Sequence, residues 1–478
     1  MDPWKKKIKL WKLQFLRMIP YCVLAFLLLS AISIVKDGLF SPTNSDNFLI
    51  SDCTDFAPGE IVPCKNMEKK PHRISYYNIV FKRLFDEGYI SRASKVLSLD
   101  NTNGQDVVAL KKIGVTDVTG ITEMPSAKFI VSGQGISHPF ANNTFDFEFF
   151  GYNTMFKYWK AFPAHAASEI GRTLKFGGYV AIHVVINDEY SYNSFINLFT
   201  CCTLVTSRTI RGLEYSVPSL HELIFQKKMH SRSQKYCIPE IRRKIIGELE
   251  PLLAIEQPYS WEGPWGNEKG TLKYLSSMVD LSFKERYIYI DLGANAYNTS
   301  IGSWFKEEYP KQNKPFEIYA VEADNAFHAE YKGKDGLTLL PFAAWVRNET
   351  LTFHVYKEAP NEGQRWEKMG YIPEKQDTKN DDVMSVFTVE AFDFTEWFLR
   401  TVTKRDYVVV KMDVEGAEVK LLKKLREKGG ICLIDELFLE CHYDRSGDNG
   451  SKYKTTLSDC IDIFRKLRKD GCIVHQWW

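Results

Sequence analysis

The chain has 478 residues, 44% of them apolar and 26% charged, a composition of packed domains that excludes long disorder and predicts more than one domain. Its 62 basic and 60 acidic residues leave a net charge of +2, which gives no support to the basic surface of a nucleic-acid binder. Ten cysteines without a CxxC pair exclude a disulfide scaffold and a structural zinc site, and no resident metal is expected.

Lys5, Lys6, Lys7, Lys9, Lys12 and Arg17 precede an uncharged stretch whose apolar heart is Ile19–Val35. At about 1.5 Å per residue this stretch just crosses a thin bilayer. The basic flank predicts a cytosolic tail over 1–18, a transmembrane signal-anchor over 19–35, and the remaining chain on the far side of the membrane. A cleaved signal peptide and a buried core helix are the rival readings, but no clear small-x-small site follows the apolar core. The short span favours the Golgi and a single-pass type II protein with luminal domains. Residues 36–73, rich in Ser, Asp, Asn, Pro and Lys, read as a stem. Cys53 and Cys64 within it are free to pair in an oxidising compartment.

From 74 to 228 strands alternate with helical patterns. The strands are Lys95–Asp100, Asp117–Thr122, Lys128–Gly133, Phe145–Tyr152 and Gly178–Val185, and the pair LVTSRTIRGLE and LHELIFQKK reads as a closing hairpin. Helices are expected at GQDVVALKKIG and over 156–174. This alternation predicts a largely parallel, doubly wound α/β sheet. Residues 229–284 form a connection with two helical patterns and the turn EQPYSWEGPWGNEKG.

From 285 to 478 the pattern returns. Strands are expected at Tyr287–Gly293, Glu317–Asp324, Leu337–Trp345, Tyr407–Val414, Ile431–Tyr443 and Cys472–Trp478, with an insertion loop over Glu358–Asp382. In such sheets ligands bind beyond the carboxyl ends of the strands, so strand ends carry the functional signal. The first ends in Asp291, Gly293 and Asn295, where glycine permits a sharp turn and a close ligand approach. The second ends in Glu322, an acid placed to accept two hydrogen bonds from a ribose diol. The third ends near Phe342 and Ala343, apolar residues suited to an adenine face. The fourth ends in Asp413 and Glu415, with Glu415 expected on the same side as Asp413 while the chain stays extended. The fifth ends in Glu440 and His442. The competing interpretation of these acids is that they complement a helix N-terminus, worth about 0.3–1 kcal/mol each; for His442 it is a packing histidine.

DLGANAYNTS, AVEAD and VKMDVEGAE, with FTVEAFDFTEWF before the last, resemble the motifs of FkbM-type methyltransferases over about Tyr287–Tyr443. That resemblance implies a class I Rossmann-like fold and S-adenosylmethionine (SAM) as cofactor. It implies that Asp291, Gly293 and Asn295 shape the methionine end of the pocket, that Glu322 holds the ribose, and that Asp413 and Glu415 lie beside the transferred methyl group. A hydroxyl acceptor would also need a base, for which Asp413 is the first candidate and Glu415 and His442 the next. Where the family often has a glycine two residues after the asparagine, this chain has Tyr297, which predicts a reshaped loop. The whole chain is similar to plant methyltransferase-like membrane proteins of the secretory pathway.

The first half resembles ordinary class I methyltransferases through FANNTFDFEFFGY and EIGRTLKFGGYVAIHV. It has Asp100-Asn101-Thr102-Asn103-Gly104 in place of a G-x-G after its first strand. The expectation is therefore two Rossmann-like domains behind a membrane anchor, the first degenerate or acceptor-binding and the second transferring a methyl group to a glycan or small molecule. A non-catalytic scaffold and a metal-dependent glycosyltransferase, using the DVE acids or Asn187-Asp188-Glu189, are the alternatives.

Overall fold

The computed structural model describes residues 73–477 apart from 101–102, 124, 126–128, 153–161, 215–216, 229–239, 253–271, 358–367, 372–382 and 445–452. The expected tail and anchor, the stem up to residue 72 with Cys53 and Cys64, and the turn EQPYSWEGPWGNEKG lie outside the described residues. Among the described residues no helix is long and apolar enough to cross a membrane. Lys69–Trp478 forms one compact unit, built on two large sheets and one small one.

The first sheet comprises β1 (Lys95–Leu99), β2 (Asp117–Thr122), β3 (Ile130–Ser132), β4 (Phe145–Phe150), β5 (Leu174–Val184), β6 (Cys202–Glu214) and β7 (Val217–Lys227). Its order is β3-β2-β1-β4-β5-β7-β6. The first five strands pair in parallel, and β7 runs antiparallel to both β5 and β6. The expected closing hairpin is therefore present. In the central strand β4 Phe145, Phe147, Phe149 and Phe150 are all buried, the near-continuous burial of a strand covered on both faces. Helices Gln105–Lys112 and Pro163–Thr173 fall within the stretches read as helical.

The second sheet comprises β8 (Tyr287–Leu292), β9 (Phe316–Val321), β10 (Leu337–Leu340), then, after the insertion described next, β15 (Tyr407–Met412), β16 (Glu436–Leu439) and β17 (Ile473–Gln476). Its order is β10-β9-β8-β15-β16-β17 and every pairing is parallel. Counted within the sheet this is 3-2-1-4-5-6, the doubly wound order whose direction reverses between its first and fourth strands. Here those are β8 and β15, both buried along their whole length.

The insertion is a small sheet of β11 (Ala343–Trp345), β12 (Glu349–Lys357), β13 (Lys368–Tyr371) and β14 (Val383–Asp393), in the order β11-β14-β12-β13. It corrects two expectations. Leu337–Trp345 is not one strand but β10 and β11 in different sheets, divided at Pro341, which has no N–H for a ladder. The region 358–382 is not all loop, because β13 lies within it and pairs with β12. The fifth strand is also shorter than expected: a 3₁₀ turn, Gly430–Leu433, precedes β16.

The two large sheets are tied together in the core. The Tyr190 hydroxyl donates to Asp435 at 2.7 Å, and Phe195 packs edge-on against Phe283. Asp188 accepts from the backbone N–H of Ser191 (2.8 Å) and of Asp280 (3.0 Å). That places Asp188 as a helix cap and brace rather than in an acidic metal pair.

Candidate functional site

A cleft opens at the carboxyl ends of β8, β9 and β15, where the order of the second sheet reverses. Gly293 and Asn295 line it from the loop after β8, Glu322 and Asp324 from the end of β9, and Asp413 and Glu415 from the end of β15. The small sheet closes the remaining side with Ala343 and Ala344 of β11, Phe353 of β12 and Phe387 of β14; Phe342, just before β11, and Phe327 complete the apolar wall.

Backbone geometry explains the residue types at the floor. Gly293 has φ +74°, and a Cβ there would stand 1.8 Å from the Asp413 carbonyl oxygen. Only glycine lets the exits of β8 and β15 approach this closely. The strand end at Asp413 does not stay extended as expected. Glu415 has φ +50° and Gly416 φ +96°, so the chain turns back on itself before helix Glu418–Glu427. A non-glycine residue in the left-handed region is held there by its surroundings. The holder is Glu418, whose Oε1 accepts from the N–H groups of Val414 (3.0 Å) and Gly416 (3.3 Å).

Glu322 is buried, with Oε2 accepting from the Asn295 N–H (2.6 Å) and Oε1 from the Asp324 N–H (2.7 Å). Burial pushes its pKa up, although both N–H groups favour the carboxylate. Asp291 does not line the cleft. It is fully buried behind it, accepts from Tyr289 (3.0 Å) and from Ser300, and faces Lys411 at 3.5 Å. Burial raises its pKa against the pull of Lys411. Tyr297, expected to reshape the loop, packs away from the cleft against Tyr331 and beneath the Lys334 ammonium, 4.1 Å from its ring centroid.

At the cleft's inner end Lys411, almost wholly buried on β15, donates to Asp413 (3.1 Å) and to the Gly293 carbonyl (3.2 Å). Burial alone would raise the Asp413 pKa, but Lys411 and His442 hold it below the usual value. His442 joins this group from beyond β16. Its Nδ1 pairs with Glu418 at 2.8 Å, and its Nε2 stands 3.5 Å from Glu415, 3.7 Å from Glu440 and 3.8 Å from Asp413. Burial would push the imidazole down; Glu415 and Glu418 instead hold it up at about 10. Glu440 is pushed up to about 8 by burial and by the Asp413 charge. Tyr453 caps the group by donating to Glu415.

The structure thus brings Gly293, Asn295, Glu322, Ala343, Asp413 and Glu415 to one cleft, sets His442 at its inner end, and leaves Asp291 behind the wall. Sequence reasoning missed Lys411, Phe353, Phe387 and Tyr453. Lys411 carried a signal, being a lone cation inside the otherwise apolar VVVKM. It also missed the disulfide between Cys441 and Cys460, which bolts the segment bearing Glu440 and His442 to helix Leu457–Lys469. Asp413, Glu415 and His442 offer ligand atoms that all lie within 4.8 Å of one another.

At the matching edge of the first sheet Tyr77 donates to Asp100 at 2.6 Å, and a Cβ at Gly104 would stand 2.5 Å from the Phe129 ring.

A family described as a domain of unknown function, DUF7870, matches residues 247–352 and 346–478, and no curated protein matches the chain. Among solved structures the chain is similar to a SAM-dependent methyltransferase from Methanosarcina mazei, at 13% identity and TM-score 0.26, over 30% of this chain and 98% of that one. It is similar to the cyclase SpnF at 12% identity and TM-score 0.27, over 32% and 82% of the two chains. It is also similar to the YcgJ protein of Bacillus subtilis at 11% identity and TM-score 0.25, over 33% and 99%.

Proposed function

We propose that the chain is a SAM-dependent methyltransferase of FkbM-like type, that its second half holds the cofactor in this cleft, and that it methylates a hydroxyl of a glycan or small acceptor in the secretory pathway. The observation that carries this reading is Glu322, a buried carboxylate at the carboxyl end of β9, beside the point where the sheet order reverses. Each of its oxygens is aligned by one backbone N–H and keeps accepting capacity for a ribose diol.

The rest of the cleft fits the group. Gly293 lets the exits of β8 and β15 close together at the floor of the cleft, and Phe342, Ala343 and Phe387 offer an apolar face to a base. SAM would supply an already activated methyl group, so the chain's task is alignment and exclusion of water. Asp413, held ionised by Lys411, is the group placed to take the acceptor's proton. The Cys441–Cys460 disulfide supports an oxidising, luminal location for a type II Golgi protein. Asp100, at the matching strand end of the first sheet, is engaged by Tyr77, which supports a degenerate or acceptor-binding role for that half.

Calorimetric titration of the purified full chain with SAM tests this. Glu322→Ala loses a charged acceptor worth about 1.5–3 kcal/mol, so binding should weaken about ten- to a hundred-fold. If the parent chain gives neither heat nor thermal shift with SAM, the proposal fails and a non-catalytic scaffold takes its place.

A further inference from the structure

The geometry points to a divalent-cation site at the inner end of the cleft, formed by Asp413, Glu415 and His442 and taking a metal of the Mn2+ or Zn2+ type. The inference rests on side-chain geometry and stands whether or not SAM is the cofactor.

Asp413, Glu415 and His442 each offer one ligand atom, and these atoms all lie within 4.8 Å of one another. Atoms bound at about 2.1 Å to a tetrahedral or octahedral ion stand about 3.0–4.2 Å apart. His442 Nε2 is 3.5 Å from Glu415 Oε2 and 3.8 Å from Asp413 Oδ1. These are ion-pair distances, so a cation would displace the Nε2 proton and take over the pairing of the two carboxylates. One imidazole and two carboxylates make a mixed nitrogen and oxygen set, which suits Mn2+ or Zn2+ better than Mg2+ or Ca2+.

The other face of the imidazole is arranged as metal-bound histidines are. Metal-ligating histidine commonly gives its second nitrogen to a carboxylate, which fixes the tautomer and aims the free lone pair at the ion. His442 Nδ1 pairs with Glu418 at 2.8 Å. Glu418 is itself fixed by the Val414 and Gly416 N–H groups and is almost fully buried. The His442 side chain is 8% exposed, and its Nε2 faces the space between Asp413 and Glu415. Glu440 Oε1, 3.7 Å from Nε2, borders the same space. The Cys441–Cys460 disulfide anchors the residue between Glu440 and His442. A metal here sits where an acceptor's oxygen pair would meet the cofactor pocket, so it would bind and orient that acceptor.

The test is direct metal binding by the full chain, stripped with chelator and titrated with Mn2+ under electron paramagnetic resonance, with Zn2+ as competitor. One Mn2+ per chain, displaced by Zn2+, is expected. His442→Gln and Glu415→Gln should each weaken uptake at least about ten-fold, and Glu418→Gln about ten- to a hundred-fold through loss of the histidine's aim. Asp86→Asn, which removes an exposed acid far along the chain, should change nothing. No stoichiometric uptake by the parent overturns the site, and so does uptake that His442→Gln and Glu415→Gln both leave intact. Calorimetry with SAM separates this from the methyltransferase reading. SAM binding without Mn2+ uptake overturns the metal site alone. Mn2+ uptake without SAM binding keeps the site and removes methyl transfer.

Discussion

At Gly293 and Glu415 the chain adopts backbone conformations that a search for sequence motifs sees only as letters. Gly293 cannot be replaced cheaply: its φ is +74°, and a Cβ would meet the Asp413 carbonyl oxygen at 1.8 Å. Gly293→Ala therefore adds a left-handed penalty of about 1–2 kcal/mol to a backbone clash that forces β8 and β15 apart. We expect a lower melting temperature and loss of SAM binding together, read by thermal shift and calorimetry. Retained SAM affinity in a folded Gly293→Ala variant would detach this crossing from the cofactor pocket. Most of the cleft was legible because acids and glycines at the ends of apolar strands have few structural uses. Asp291 misled for the same reason: its place at a strand end signals the cleft, while its fully buried side chain turns back to Ser300 and Tyr289. Glu418, three residues beyond Glu415, proves to be what shapes the turn, because its carboxylate caps the N–H groups of Val414 and Gly416. Nothing in the spacing of DVEGAE distinguishes a carboxylate that faces ligand from one that faces backbone.

Whole elements show the same division. Strands buried on both faces, such as β1, β4, β8 and β15, announce themselves as apolar runs. The small sheet does not, because β12 and β14 alternate polar and apolar residues and β13 lies in a polar stretch. The last strand, β17, carries a titration of its own. His475 is fully buried between Glu250 (2.6 Å) and Glu436 (2.9 Å). Burial would lower its pKa, but the hydrogen bonds it donates to those two carboxylates hold it up at about 9. A group whose folded pKa lies above its unfolded value stabilises fully below the unfolded value, about 6.5, and loses that contribution as pH rises through 9. The difference is on the order of 3 kcal/mol. The parent's melting temperature should therefore fall between pH 6.5 and 9.5 more steeply than that of His475→Gln. Equal slopes for the two proteins would show that the imidazole is not charged in the fold.

Over the whole molecule, the decisive feature is the joint between the two large sheets, and it centres on Asp435 immediately before β16. This buried carboxylate accepts from Tyr190 of the first half (2.7 Å), from Arg242 of the connecting helix Glu240–Gly247 (2.8 Å), from Lys284 (3.3 Å) and from the Val408 N–H of β15 (2.9 Å). The sequence describes two similar halves and a linker, and no local pattern in DELFLE marks its first acid as the point where all three meet. The physical consequence is cooperativity: elements that share a buried charge network do not unfold independently. A single calorimetric transition is expected for Lys69–Trp478 within the full chain. Asp435→Ala leaves Arg242 and Lys284 as buried cations without their partner, a loss of about 3–5 kcal/mol. It should lower the melting temperature by several degrees and begin to split the transition, with the first sheet separating from the second. Tyr190→Phe, which removes one neutral donor, should cost only about 1 kcal/mol and keep one transition. Two resolved transitions in the parent, or an Asp435→Ala variant as stable as the parent, would show that the halves are independent domains and that the first sheet does not brace the cleft in the second.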